Sequence, residues 1–253
     1  MEKRKIHLST ISLLHCWKLF FRGGLLLLCA AIYVYDRILA AQNGTIFLGF
    51  ITRPHIMWFI WVVFALEMLL RFFPSRMESA GCQKVFARNY RPAPQPQKPR
   101  DDSKATWAIL GAWLALNGVI AALYFTHIID AGILILISLA YSVCDMICIL
   151  FFCPFQTWFL KNKCCGTCRI YNWDFAMMFT PLALVPHLFT WSLFGLGLAL
   201  VIHWEVTHFR HPERFYEETN CALSCANCEE RLCTHKKQLR SLHKRLRELK
   251  LMK

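Results

Sequence analysis

The stretch IIDAGILILISLAYSVCDMICILFF, residues 128–152, decides the class of this fold. Apolar side chains fill almost all of it, and a helix needs about 20 such residues to cross the hydrocarbon core of a bilayer. Only two of its side chains are charged at neutral pH, Asp130 and Asp145, which is sparse enough for a membrane-spanning segment. The stretch therefore predicts a transmembrane helix.

The composition of the whole chain agrees with this prediction. Of its 253 residues, 56% are hydrophobic and 18% are charged, and the mean hydropathy of +0.36 is too high for an ordinary soluble domain. The net charge of +13 falls mostly on termini and loops, where it is first a topology signal. No soluble basic domain with interleaved aromatic residues is visible, so we expect the lipid bilayer, and no nucleic acid, as partner.

Hydropathy predicts an all-α polytopic membrane protein with either four full transmembrane helices and a re-entrant segment, or five transmembrane helices of which the last is kinked. The turn at residues 126–130 is very short, which makes the third and fourth spans an antiparallel hairpin. The predicted spans are residues 17–40, 56–73, 105–125 and 128–152, followed by the apolar segment 175–204.

Composition shifts divide the chain into seven parts. A basic linker rich in proline separates two membrane halves, because proline cannot continue a helix. The parts are an N-terminal two-span half (1–73), a basic Pro-rich cytoplasmic linker (74–104), a transmembrane hairpin (105–153), a first Cys-rich loop (154–174), a long broken or kinked membrane segment (175–204), a second Cys-rich segment (205–235) and a basic amphipathic helix (236–253).

The segment 175–204 leaves the topology open. It is longer than the about 20 residues of one span and shorter than the about 40 of two. Pro181 and Pro186 break or kink a helix. A single kinked crossing places the basic C-terminal part outside, against the positive-inside rule, whereas a re-entrant hairpin returns it to the cytoplasm. We favour the hairpin, since the cysteines and the basic residues then lie on one side.

Two cysteine clusters flank this segment, and each contains a pair with two intervening residues. That spacing brings two sulfur atoms to one side of a turn, so two pairs together complete a four-thiolate site for Zn²⁺ or an iron–sulfur cluster. We expect the two loops to assemble into a small cysteine-rich, metal-binding subdomain, with disulfides and thiols without a joint role as the alternatives. The predicted metal ligands are Cys164, Cys165, Cys168, Cys221, Cys225, Cys228 and Cys233.

The compartment decides between metal ligation and disulfides. Lys161, Lys163 and Arg169 surround the first cluster and mark its loop as cytoplasmic. Disulfides are rare in a reducing cytosol, which favours metal ligation. We expect an integral protein of the plasma or inner membrane with its Cys-rich loops on the cytoplasmic side.

Polar residues inside the predicted spans are the remaining candidates for a site. Asp145 is expected to handle protons or cations, or else to be a carboxyl near the cytoplasmic boundary that bonds a neighbouring helix. Arg22 is expected to extend to the interface. Glu67 is expected to be either a functional carboxyl or the ion-pair partner of Arg71 one helical turn on. His187 is a second intramembrane candidate, with haem ligation as one interpretation and an interfacial position as the other.

The last part of the chain has leucines spaced as a short heptad seam. Three roles are expected for this helix: pairing with another copy of the chain, lying on anionic lipid, or docking on the cytoplasmic part of its own chain. The seam consists of Leu232, Leu239, Leu242, Leu246 and Leu249.

The leading functional hypothesis is a redox or electron-transfer membrane protein whose clustered cysteines hold an iron–sulfur centre and meet an electron-transfer partner. Cys144, Cys148 and Cys153 extend a redox path into the membrane. The competing class is a non-enzymatic scaffold or transporter with a structural zinc module, and a third is a thiol–disulfide exchanger. No Ser-His-Asp set, phosphate loop or H-E-x-x-H motif is visible, so whether the chain is an enzyme stays open.

Overall fold

The computed structural model describes residues 10–43, 53–74, 83–95, 102–161 and 168–224. These ranges are helical and contain no strand. Four of the described helices are long and apolar enough to cross a membrane. The expected all-helical fold is therefore confirmed, and these four candidate spans are compatible with an integral membrane protein.

The described residues contain six α-helices that carry the fold, and two of them, α2 and α5, are too short to count as spans. The helix α2 has 17 residues because the chain turns at Arg71, before the predicted end of the second span. The helices are α1 (Thr10–Asn43), α2 (Pro54–Leu70), α3 (Ser103–Phe125), α4 (Ala131–Leu150), α5 (Asp174–Phe179) and α6 (Leu188–Arg210).

The helices α1 and α4 pack antiparallel. At one end the Tyr33 hydroxyl of α1 donates to the Asp130 carboxylate at 2.8 Å, and the same carboxylate caps the start of α4 by accepting from the Ile133 amide. Further along, Arg22 of α1 donates to the Ser142 carbonyl of α4 at 3.1 Å. We call the end with Tyr33 and Asp130 the Asp130 end. The opposite end, where Asp174 lies, is called the Asp174 end.

The segment predicted to be broken folds as a helical hairpin. Its first arm joins a 3₁₀ turn, Arg169–Trp173, to α5 and to a second 3₁₀ turn, Thr180–Leu184, and its second arm is α6. The chain is interrupted between them at residues 185–187, around the predicted break at Pro186. Proline cannot donate a backbone hydrogen bond, so the helix ends there.

The two arms of the hairpin run antiparallel over most of their length. Near the turn, the Trp191 indole donates to the Ala183 carbonyl at 3.3 Å, and at the other end Arg169 pairs with Glu205 at 2.8 Å. Trp191 and Glu205 are about 21 Å apart along α6 at 1.5 Å per residue. The hairpin therefore starts and finishes at the Asp174 end.

The linker and the segment after α6 fold together at that end. The Ala93 amide donates to the Thr219 carbonyl at 3.1 Å, and the Cys221 amide donates to the Arg91 carbonyl at 2.8 Å. The buried Asn220 side chain also donates to the Lys84 carbonyl at 3.2 Å. The expected subdomain built from the two Cys-rich loops is not shown. Instead, the described part of the second Cys-rich segment packs on residues 83–95 of the linker, whose backbone supplies its hydrogen-bond partners.

Candidate functional site

A buried arginine joins three helices near the Asp174 end. Arg22 is 2% exposed, and its guanidinium binds Glu67 of α2 and lies 3.3 Å from the Asp145 carboxylate of α4. Lys18, one turn before it on α1, lies 3.4 Å from Glu67. A buried charge is expensive unless it is paired, so these contacts fix α1 against α2 and α4.

A second buried pair attaches the hairpin to α2. Arg71 places two guanidinium nitrogens 2.7 Å from the two carboxylate oxygens of Asp174. The Asp174 Oδ1 accepts a hydrogen bond from Arg71, whereas Oδ2 is held by the opposite charge alone. The guanidinium carbon also lies 4.6 Å from the centre of the Phe175 ring, a favourable cation–π distance.

These residues form one group with balanced formal charge, which we call the charge network. Its members come from α1, α2, α4 and the start of α5. The cations are Lys18, Arg22 and Arg71, and the carboxylates are Glu67, Asp145 and Asp174.

The charge network corrects one expectation about these residues and extends another. Arg22 does not extend to the interface, because Glu67 and Asp145 hold it inside the helix bundle. Glu67 also binds Arg22 and lies beside Lys18 on α1, and Arg71 pairs with Asp174, so their contacts reach beyond the expected pair within one helix. Helical periodicity identifies partners on one helix but gives no information on which helices are neighbours.

A cavity of about 130 Å³ lies beside the charge network, and Asp145 and Asp174 form part of its wall. Aromatic side chains, among them Trp113 and Tyr141, form much of the remainder. The feature that sets it apart is sulfur. Its sulfur-bearing lining residues are Cys144, Cys148, Cys153, Cys168, Met177 and Met178.

Two of the thiols in the cavity lie against each other. Cys148 and Cys153 are within hydrogen-bonding reach, and the Gln156 amide donates to the Cys153 sulfur at 3.5 Å. The chain turns back here because α4 ends at Leu150 and Pro154 cannot donate to the helix that precedes it. The turn brings Cys153 over the last turn of α4, which carries Cys148.

The predicted metal ligands fall only partly within the described residues. Cys168 lines the cavity, and Cys221 bonds the linker through its backbone amide. In the part of the chain that the structure describes, no three His, Cys, Asp or Glu side chains are grouped to hold a metal ion. Five of the seven predicted ligands lie outside the described residues, namely Cys164, Cys165, Cys225, Cys228 and Cys233.

His187 lies at the turn of the hairpin, at the Asp130 end. It is the N-cap of α6, where its Nδ1 accepts from the Phe189 amide at 3.4 Å and its ring stacks on the Phe189 ring. The histidine thus starts the second arm of the hairpin. Asp145, the other intramembrane candidate, has Arg22 as its partner.

Sequence reasoning missed Asp174, Met177 and Met178. A carboxylate at the start of an apolar segment was the only available signal for Asp174, and methionines in such a segment are indistinguishable from core residues.

The cavity combines thiols, which bind soft metals and exchange electrons, with carboxylates that can accept protons. No family model, curated protein or solved structure matches this chain.

Proposed function

We propose that this chain is an integral protein of the plasma or inner membrane whose clustered cysteines hold a metal or iron–sulfur centre for redox or electron transfer. The centre lies at the Asp174 end, on the cytoplasmic side. Its proposed ligands are the seven cysteines of the two clusters.

The observation that carries this proposal is that Cys168 and Cys221, one from each cluster, lie at the same end of the helix bundle. Cys168 precedes the first arm of the hairpin, and the adjacent Arg169 pairs with Glu205 near the end of the second arm. Cys221 follows that second arm and bonds the linker. Two thiol pairs bind one ion only if their segments meet, and the hairpin brings the segments to one side.

The distribution of charge supports a cytoplasmic Asp174 end. At the Asp130 end, Arg37 and Arg53 each lie beside a carboxylate, Asp130 and Asp36 respectively. The other end carries an excess of basic residues, which the positive-inside rule assigns to the cytoplasm. Among the described residues these include Lys84, Arg88, Arg91, Lys161, Arg210 and Arg214.

The thiols of the cavity support a redox function over a purely structural one. Cys168 belongs to the first cluster and lines the same cavity as Cys153, Cys148 and Cys144. The cavity thus connects the proposed centre with the interior of the bundle. Burial and hydrogen bonds to sulfur are the means by which a protein sets the potential of such a centre.

The experiment that tests this proposal is anaerobic purification in detergent, followed by iron, sulfide and zinc analysis and a visible spectrum before and after reduction with dithionite. We expect iron with acid-labile sulfide and a visible absorption that bleaches on reduction. Cys16→Ser is the matched control, because Cys16 is a partly buried thiol on α1 that does not line the cavity. Colour that persists in both Cys165→Ser and Cys225→Ser contradicts the proposal.

The second candidate is a scaffold or transporter with a structural zinc module. It is favoured by the backbone hydrogen bonds that join residues 83–95 to residues 219–221. A zinc ion held by the adjacent cysteines couples the folding of these segments to metal binding. In this case we expect about one zinc per chain and no colour, because Zn²⁺ is d¹⁰. We also expect faster proteolysis of the linker after the zinc is chelated.

We also propose self-association through the leucines at 232–249, which lie outside the described residues. The electron-transfer partner is likewise a proposal.

A further inference from the structure

We propose that Cys148 and Cys153 form a binding site for monovalent copper, Cu(I), within the sulfur-lined cavity. This site goes beyond the proposed function, because its two thiols belong to neither cysteine cluster. It needs none of the cysteines that lie outside the described residues.

The contact between the two thiols is the first argument for the site. Cys148 and Cys153 come from opposite sides of the turn after α4, and their side chains lie within hydrogen-bonding reach. Cu(I) is a soft ion that accepts as few as two thiolates, whereas protein-bound Zn²⁺ almost always takes four ligands. A pair of facing thiols is therefore better matched to Cu(I) than to zinc.

The sulfur content of the cavity wall is the second argument. Six of its 15 lining residues carry sulfur, although the chain has only 13 cysteines and 8 methionines among 253 residues. Met177 and Met178 contribute thioethers, which select Cu(I) over harder divalent ions. Met178 is 1% exposed, so its sulfur is kept inside the protein.

The charge network supplies the third argument, because it engages the oxygen ligands of the cavity. Asp145 pairs with Arg22, and Asp174 lies against two guanidinium nitrogens of Arg71. A carboxylate paired with an arginine loses that contact if it binds a metal. The sulfur atoms are thus the ligands that an entering ion meets at least cost.

Binding replaces protons on sulfur. Each Cu(I) displaces one proton from Cys148 and one from Cys153, so the site gains one Cu(I) ion and loses two protons. The Gln156 amide, which donates to the Cys153 sulfur at 3.5 Å, supports the negative charge on that atom. Proton release on copper binding is therefore a direct readout of thiolate ligation.

The test is anaerobic titration of the full chain with Cu(I) in competition with bathocuproine disulfonate. We expect Cys148→Ser and Cys153→Ser each to bind one copper fewer than the wild-type chain, and Cys16→Ser to bind the same amount. Cys225→Ser is expected to lose the clustered centre and to retain this copper. Met177→Leu, which keeps the side-chain volume, is expected to weaken the site about 10-fold, as removal of a supporting metal contact does.

A second measurement on the wild-type chain does not depend on the folding of a variant. Cu(I) is expected to protect Cys148 and Cys153 from alkylation by N-ethylmaleimide, while Cys16 reacts at an unchanged rate, as read by peptide mass spectrometry. Equal copper content in the wild-type chain and in both folded serine variants overturns the proposal. So does alkylation of Cys148 and Cys153 at the same rate with and without Cu(I).

Discussion

Arg71 on α2 and Asp174 on α5 form an ion pair with two N···O distances of 2.7 Å. The pair anchors the first arm of the hairpin to the helix bundle at the level of the cavity. Arg71 is 3% exposed, so either charge becomes an uncompensated buried charge when its partner is removed.

Loss of one partner is therefore expected to be strongly destabilising. We predict that Asp174→Asn or Arg71→Gln costs about 3–5 kcal/mol of stability, measured by thermal unfolding in detergent. The matched control is Arg53→Gln, which removes the exposed pair with Asp36 and is expected to cost about 0–1 kcal/mol. A cost for Asp174→Asn no larger than that for Arg53→Gln contradicts the anchoring role.

The contact between Arg22 and Asp145 is expected to couple the two residues energetically. Their side chains join α1 to α4, so the two replacements should not be additive. We predict a coupling energy of about 0.5–3 kcal/mol between Arg22→Gln and Asp145→Asn in a double-mutant cycle. Additivity of the two changes within about 0.5 kcal/mol would show that the pair contributes nothing specific.

Gly197 permits the close approach of the two hairpin arms. A Cβ atom at this position would lie 3.1 Å from backbone atoms of Ala176, whereas at Gly195 it would meet nothing within 4 Å. We predict that Gly197→Ala destabilises the protein by about 1–3 kcal/mol, because α5 must move away from α6. Gly195→Ala, on the same helix, should be neutral or slightly stabilising, since alanine favours a helix. Equal melting temperatures for the two variants would be evidence against this packing.

Labelling from one side of the membrane tests the proposed orientation. In right-side-out vesicles, we predict that an impermeant maleimide modifies His127→Cys at the Asp130 end. Lys161→Cys at the other end should react only after the vesicles are opened. Peptide mass spectrometry separates these sites from the native thiols. The reverse pattern places the Asp174 end outside. The reducing cytosol then no longer favours metal ligation over disulfides for the clustered cysteines.

The helices were predictable from the sequence, because burial in a bilayer requires long apolar runs. The third predicted span, residues 105–125, matches α3 at Ser103–Phe125 to within two residues. The hairpin was harder, since the length rule assumes an α-helical rise of 1.5 Å per residue. Two five-residue 3₁₀ turns flank α5, and at about 2.0 Å per residue they let a short first arm run alongside most of α6.

The candidate site was only partly predictable. The sequence predicts that Cys148 and Cys153 belong to a redox path into the membrane. The contact between the two thiols, however, depends on the turn at Pro154. The pairing of Asp174 with Arg71 depends on which helices are neighbours, and no pattern in one sequence states that. Cross-helix partners therefore had to come from the structure.

The most direct test of the central claim is the metal-to-chain ratio of the anaerobically purified wild-type protein, Cys165→Ser and Cys225→Ser. If both clusters serve one centre, we predict that either change, in a different cluster, removes the same metal completely. Retention of half of the metal in each variant, or of all of it in both, would contradict a shared centre at the Asp174 end.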